Sequence, residues 1–274
     1  MPEPRELMLA DLSWTEVREL LPGVVVALIP TGSTEQHGPA MALKTDIAIS
    51  TGICRLVSAK LHPSVVVAPP VPWGISAHHL SFPGTISLGI DVYVSLLEDI
   101  VCSLMHHGFT GFLFVNGHGG NNTALQVACE AIKHDLSPRY VGYCYNWNLH
   151  SDLVPEDPMD VGHGCQIEAS YCHYLAPEVV KPDRFVPARY ALPPAELLDM
   201  QAAWGTWEPC DVDEYLPLGF KGQPETGTYE RGRELSEEVS DRIVRYIQTL
   251  LKYGRLSTPG SRQTDDVEGD CGCV

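Results

Sequence analysis

The sequence predicts an α/β fold, a single compact domain with a mostly parallel sheet flanked by helices. Three observations carry that reading. Four short β-branched or aromatic runs, "VVVALIP" (24–30), "VVVAPP" (65–70), "FLFVNG" (112–117) and "RYVGYCY" (139–145), end in or run into Gly, Pro or Asn, as buried parallel strands do. Helical patterns alternate with them, as in a doubly wound sheet. Polar constellations follow the strands, where open α/β sheets hold their ligands.

Each element follows from local pattern. The predicted helices cover 47–61, 91–108 and 122–136, where apolar residues recur at helical spacing. Residues 176–226 are rich in Pro and Gly and read as an irregular excursion with a short helix over 194–205. Residues 230–254 form an amphipathic helix stopped by Gly254. The domain is expected to span 1–254, and 255–274, nearly free of large apolar residues, to be a disordered acidic tail.

With 274 residues, the chain can bury a substantial core. A formal charge of −17 disfavours nucleic acid and anionic membranes as partners, because phosphates are repelled. No run approaches the roughly 20 apolar residues that span a bilayer. The first residues lack a basic start followed by an apolar stretch, so no signal peptide is read and the expected location is cytoplasmic. The nine cysteines read as small buried hydrophobes in a reducing compartment, without a disulfide framework. Cys271 and Cys273 have no partner cluster that would make a soft-metal site.

The first constellation is "STEQHGPAMALKTD" (33–46). Glu35 and His37 are two apart, so in an extended segment both side chains leave on one side. A carboxylate and an imidazole suit zinc, manganese or iron. Asp46 reads either as an N-cap of the next helix or as a ligand. In "FVNGHGGNN" (114–122), His118 follows a strand among glycines; the competing readings are a tight turn and an anion cradle formed with Gly119 and Gly120. "GHGCQIEAS" (162–170) places His163 before a helix, as a proton shuttle, and Glu168 in its second turn, where it can complete a metal shell. His79, in "AHHLSFPGTISL" (77–88), and Trp147, after the fourth strand, are candidates to line a substrate pocket. The plainer readings are a surface histidine and a core aromatic.

Together, five segments in order resemble the creatininase family of metal-dependent amidohydrolases: "PTGSTEQHGPAMALKTD", "HHLSFPGTISL", "HHGFTGFLFVNGHGGN", "HGCQIEAS" and "GQPETGTYERG". The resemblance implies a compact α/β fold, a homo-oligomer (commonly a hexamer), and two divalent ions per chain. By position, Glu35 and His118 hold one ion, His37 the other, and Asp46 bridges them. Creatininase takes its remaining carboxylate two residues after the histidine of the Asn-Gly-His segment. That position is Gly120 here, so Glu168 is the expected replacement and creatinine is not the expected substrate. Gly164, Cys165 and Gln166 stand where many relatives carry Ala-Gly-Glu, which should change pocket charge more than metal binding.

The expected activity is hydrolysis of a C–N bond in a small amide, cyclic amide or formamide. The nucleophile would be a water shared by two cations, its pKa lowered from 15.7 toward about 7, with His163 delivering a proton to the leaving nitrogen. The family alternatives are a peptide-maturation peptidase and a ring carbon–carbon hydrolase. Outside enzymes, the alternative is an inactive metal- or phosphate-binding module.

Overall fold

The computed structural model describes residues 6–154, 161–194, 196–197, 200, 203 and 208–257. After α1 (Trp14–Leu20), capped by a Ser13–Glu16 capping box, the chain enters β1 (Val26–Thr31). There follow α2 (Thr45–Lys60), β2 (Val65–Val67), α3 (Ile90–His106), β3 (Gly111–Asn116), α4 (Asn122–Asp135) and β4 (Tyr140–Tyr145). Beyond the sheet come α5 (Asn146–His150), α6 (Gln166–Leu175), α7 (Val212–Tyr215) and α8 (Tyr229–Lys252). The four strands lie in the order β2-β1-β3-β4, and every pair is parallel.

Side-chain alternation along the strands builds two apolar layers. Val26, Leu28, Val65, Val67, Leu113 and Val115 face α2, α6 and α8. Ala27, Ile29, Val66, Phe112 and Phe114 face α3 and α4. Because both sheet faces are covered, the strands are apolar throughout instead of alternating with polar residues. Each fully buried Val, Leu, Ile or Phe contributes roughly 1.5–3 kcal/mol, so the rims of the sheet are the least costly place for polar groups. The final helix carries Leu235, Val239, Ile243 and Ile247 on its buried face at i, i+4 spacing. Leu256, just beyond it, is also buried in the core.

The structure corrects several local expectations. Asp46 is not the N-cap of α2. It is the helix's second residue, after Lys44 in the cap position, so its carboxylate is free to point away from the helix end. Glu168 lies in the first turn of α6, not the second, because Cys165 is the N-cap. Cys54, Cys129, Cys144, Cys165, Cys172 and Cys210 are free thiols as expected. Most of the helix expected over 194–205, Cys271, Cys273 and the tail beyond 257 lie outside the described residues. Among the described residues, no helix is long and apolar enough to cross a membrane.

Candidate metal centre

The central strands β1 and β3 run side by side, with Thr31 opposite Asn116 at their carboxyl ends. From this pair the sheet extends to β2 on one side and β4 on the other. That is a topological switch point, where open α/β sheets leave a crevice. The 32–46 loop follows β1, and His118 follows β3. Asn116 shapes the second turn: its Nδ2 donates to the His118 carbonyl at 2.6 Å and its Oδ1 accepts from the His118 amide at 3.1 Å. A cavity of about 630 Å³ opens over these strand ends.

Glu35, His37, Asp46 and His118 converge under it, each at most 4% exposed. His37 Nε2 lies 3.0 Å from Asp46 Oδ1 and 3.8 Å from Glu168 Oε2. His118 Nδ1 lies 3.0 Å from Glu35 Oε1 and 3.3 Å from Asp46 Oδ2. Asp46 therefore offers one oxygen to each imidazole. The far nitrogens meet backbone acceptors: His118 Nε2 donates to the Ile75 carbonyl at 3.0 Å, and His37 Nδ1 is 3.2 Å from the Glu35 carbonyl. Those partners decide which nitrogen faces the cluster. Ser76 Oγ donates to Glu35 Oε2 at 2.5 Å, leaving Oε1 for the interior.

Glu35 Oε1 and Asp46 Oδ2 are buried and make no hydrogen bond. Leaving a charged acceptor bare costs more than the roughly 1–3 kcal/mol of a neutral one. Their close imidazole neighbours converge on common points without forming aligned hydrogen bonds. Donor atoms about 3 Å apart are spaced like neighbours around one cation held at roughly 2.0–2.2 Å. Among the described residues, three overlapping groups have suitable spacing: Glu35, Asp46 and His118; His37, His163 and Glu168; and Glu35, His79 and His163. The mixed N/O donors fit zinc, manganese or iron.

The electrostatics call for positive charge at the same place. Burial opposes the charged form of His37, but the Asp46 carboxylate outweighs it and raises the imidazole to about 9. Burial likewise opposes charge on His118, yet Glu35 and Asp46 hold it well above its ordinary value. Burial would raise Glu35, but His118 holds it well below the usual carboxylate range. Glu168 is pushed up to about 7 by burial. His163 falls to about 3 through burial and repulsion from His37, and His79 to about 2 through burial and repulsion from His163.

A cation must displace the protons that otherwise supply this charge. Zinc binding near neutral pH should release protons, chiefly from His37 and His118 with a share from Glu168, and should tighten as pH rises. Calorimetry in buffers of different ionisation enthalpy measures the release; a buffer-independent enthalpy would contradict it. The metal-free protein should show the opposite slope. The stability contributed by His37 is fully present below its unfolded value near 6.5 and is lost as pH climbs through about 9.

Every residue expected at the site is at or beside the cavity. Asp46, His118, His163 and Glu168 line it, with His79, Gly119, Gly120 and Trp147; Glu35 and His37 are buried against His118 and Asp46. His79 is 2% exposed, not a surface histidine. Gly120 admits no side chain: a Cβ there would lie 2.3 Å from the Ile75 carbonyl oxygen and 2.4 Å from His118 Nε2. Glu168 approaches from another element, its Oε2 accepting from the Gly164 amide at 2.6 Å. The expected effect of Gln166 on pocket charge is not supported. Its Oε1 accepts from the Gln223 amide, and it does not line the cavity.

Sequence reasoning missed Gln36, Ser76, His78 and Tyr145. His78 and Tyr145 line the cavity, Gln36 bonds His79 through its side-chain amide, and Ser76 donates to Glu35. Only the position of Gln36 between two ligand candidates offered a signal.

A family model described as creatininase, creatinine amidohydrolase, matches residues 10–247. A mycofactocin precursor peptide peptidase of Mycolicibacterium smegmatis is 35% identical over 245 residues, covering 86% of this chain and 92% of its own. A creatinine amidohydrolase of Pseudomonas putida is 26% identical over 261 residues, covering 88% and 92%. A solved mutant creatininase of the Zn-Zn type superposes with a TM-score of 0.75 at 24% identity, over 89% of this chain and 98% of that one. The matched span takes in both sheet layers and every residue of the cluster, and the chain belongs to the creatininase family of metal-dependent hydrolases.

Proposed function

We propose that the chain is a two-cation hydrolase of amide C–N bonds, acting on a peptide in preference to creatinine. The observation that carries the metal reading is the pair of buried, unbonded carboxylate oxygens, Glu35 Oε1 and Asp46 Oδ2, facing inward imidazole nitrogens. Glu35 and His118 would hold one ion, His37 and Glu168 the other, and Asp46 both. Two features favour a peptide. The 35% identical relative is a peptide peptidase, and Gly120 excludes the carboxylate that the creatininase resemblance places there.

When bound, divalent ions supply an activated water and polarise the substrate carbonyl. The chain's own residues handle the proton. His163 Nε2 donates to the Gln36 carbonyl at 2.6 Å, which leaves Nδ1 as the lone-pair nitrogen facing the cluster, 3.6 Å from Glu35 Oε1. Since burial keeps this ring neutral, its first act is to take a proton from the attacking water. It then passes that proton to the leaving nitrogen. Trp147, Val154 and Val161 form an apolar wall of the cavity and exclude bulk water from the reacting atoms.

Metal analysis and turnover assays test this reading. About two tightly held transition ions per chain and cleavage of short peptides are expected. No bound metal, with phosphate occupying the 117–120 loop instead, would overturn it; turnover of cyclic ketones alone would move it to carbon–carbon cleavage. His163→Ala should retain both ions while kcat falls by roughly 10²–10⁴. Loss of metal on that change would make His163 a ligand.

A further inference from the structure

The Glu35, His79 and His163 group has metal-ligand spacing but no place in the two-ion assignment, and one buried amide touches both of its imidazoles. We propose that Gln36 is a positioning residue whose side-chain amide fixes the tautomer of His79, while its backbone carbonyl fixes that of His163, and that the amide thereby keeps His79 out of the metal shell. The metal part of this inference rests on the two-cation reading above.

Gln36 is 6% exposed and has its whole amide engaged. Its Oε1 accepts from the Gly38 amide at 2.9 Å, and its Nε2 donates to the Gly219 carbonyl at 2.7 Å. These two bonds orient the group, since the reverse orientation would set two oxygens against each other. Gly219 comes so close that a Cβ there would lie 1.9 Å from Gln36 Oε1.

One amide hydrogen remains for two ring nitrogens, His79 Nδ1 at 2.8 Å and His163 Nε2 at 3.1 Å. His163 Nε2 spends its own hydrogen on the Gln36 backbone carbonyl at 2.6 Å, so it cannot accept. The hydrogen therefore goes to His79 Nδ1. A neutral His79 must then carry its proton on Nε2.

The two rings thus present opposite chemistry to one oxygen. His79 Nε2, a donor, is 3.5 Å from Glu35 Oε1, and His163 Nδ1, a lone pair, is 3.6 Å from it. A protonated nitrogen cannot ligate, so the spacing of this group is metal-like but its proton placement is not. A carboxylate at position 36 would only accept. It would draw the His79 hydrogen onto Nδ1 and free Nε2 to join Glu35 and His163 around a cation.

Histidine-selective ¹⁵N spectra of the zinc-loaded full chain, with zinc content by mass spectrometry, test this. In the wild type, His79 should show protonated Nε2 and unprotonated Nδ1. Gln36→Glu should reverse that pattern and add about one zinc per chain. An unchanged His79 tautomer with unchanged zinc content in Gln36→Glu overturns the proposal, as does a wild-type His79 protonated on Nδ1. Where circular dichroism shows Gln36→Glu unfolded, Gln36→Met decides: a mixture of His79 tautomers supports the proposal, and a single Nε2-protonated form overturns it. The tautomer readout needs neither substrate nor turnover, so a wild type that holds no zinc overturns the function while leaving the tautomer assignment to be decided separately.

Discussion

Asp46→Ala should strip the protein of both cations and lower kcat/KM by three orders of magnitude or more, about 4 kcal/mol of transition-state stabilisation. Two distances set this expectation: Asp46 Oδ1 lies 3.0 Å from His37 Nε2 and Asp46 Oδ2 lies 3.3 Å from His118 Nδ1. No other carboxylate in the cluster approaches both imidazoles this closely. The substitution also removes the main influence raising His37, so burial should return that ring toward the neutral form. Metal analysis of the dialysed variant measures the first effect, and the ¹⁵N signals of His37 the second. An Asp46→Ala protein that keeps both ions and full turnover would show that the bridge is misplaced.

Glu168→Gln should have the second largest effect, and it separates the two ions. Its carboxylate lies 3.8 Å from His37 Nε2 and belongs to none of the contacts around His118. The expected outcome is therefore loss of one ion, retention of the other, and a fall in kcat of roughly 10²–10³, about 3–4 kcal/mol. The amide is nearly isosteric, and its oxygen can still accept from the Gly164 amide that now donates to Glu168 Oε2. Equal melting temperatures of the metal-free proteins would show that the fold is intact. Retention of both ions would return the missing ligand to another side chain, with His163 the nearest candidate by spacing.

These two variants test different kinds of knowledge. Asp46 was readable as a ligand candidate because it closes a polar loop directly after an apolar strand. The alternative reading of Asp46 as a helix cap fails, since the cap position belongs to Lys44 and an Asp at the second residue of the helix looks much the same in sequence. Glu168 was a weak candidate by its position at a helix start, and only the resemblance made it the expected ligand. Nothing in "HGCQIEAS" distinguishes a ligand from ordinary helix-entry polarity.

The sheet was legible because burial on both faces demands unbroken β-branched and aromatic runs, and the chain supplies them at β1, β2, β3 and β4. Periodicity and charge likewise determined the helices between the strands and disfavoured phosphate-rich partners. What only the tertiary structure decided is proximity and proton placement. Strand order put the ends of β1 and β3 side by side, bringing Glu35 and His118 within 3.0 Å across 83 residues of chain. Packing at Ile75 and His118 leaves no room for a side chain at Gly120, and the single available hydrogen of Gln36 assigns His79 its tautomer. Sequence pattern records which residues prefer water or the core. It does not record which lone pairs will meet, because that depends on long-range packing and directional hydrogen bonds made only when the sheet is assembled.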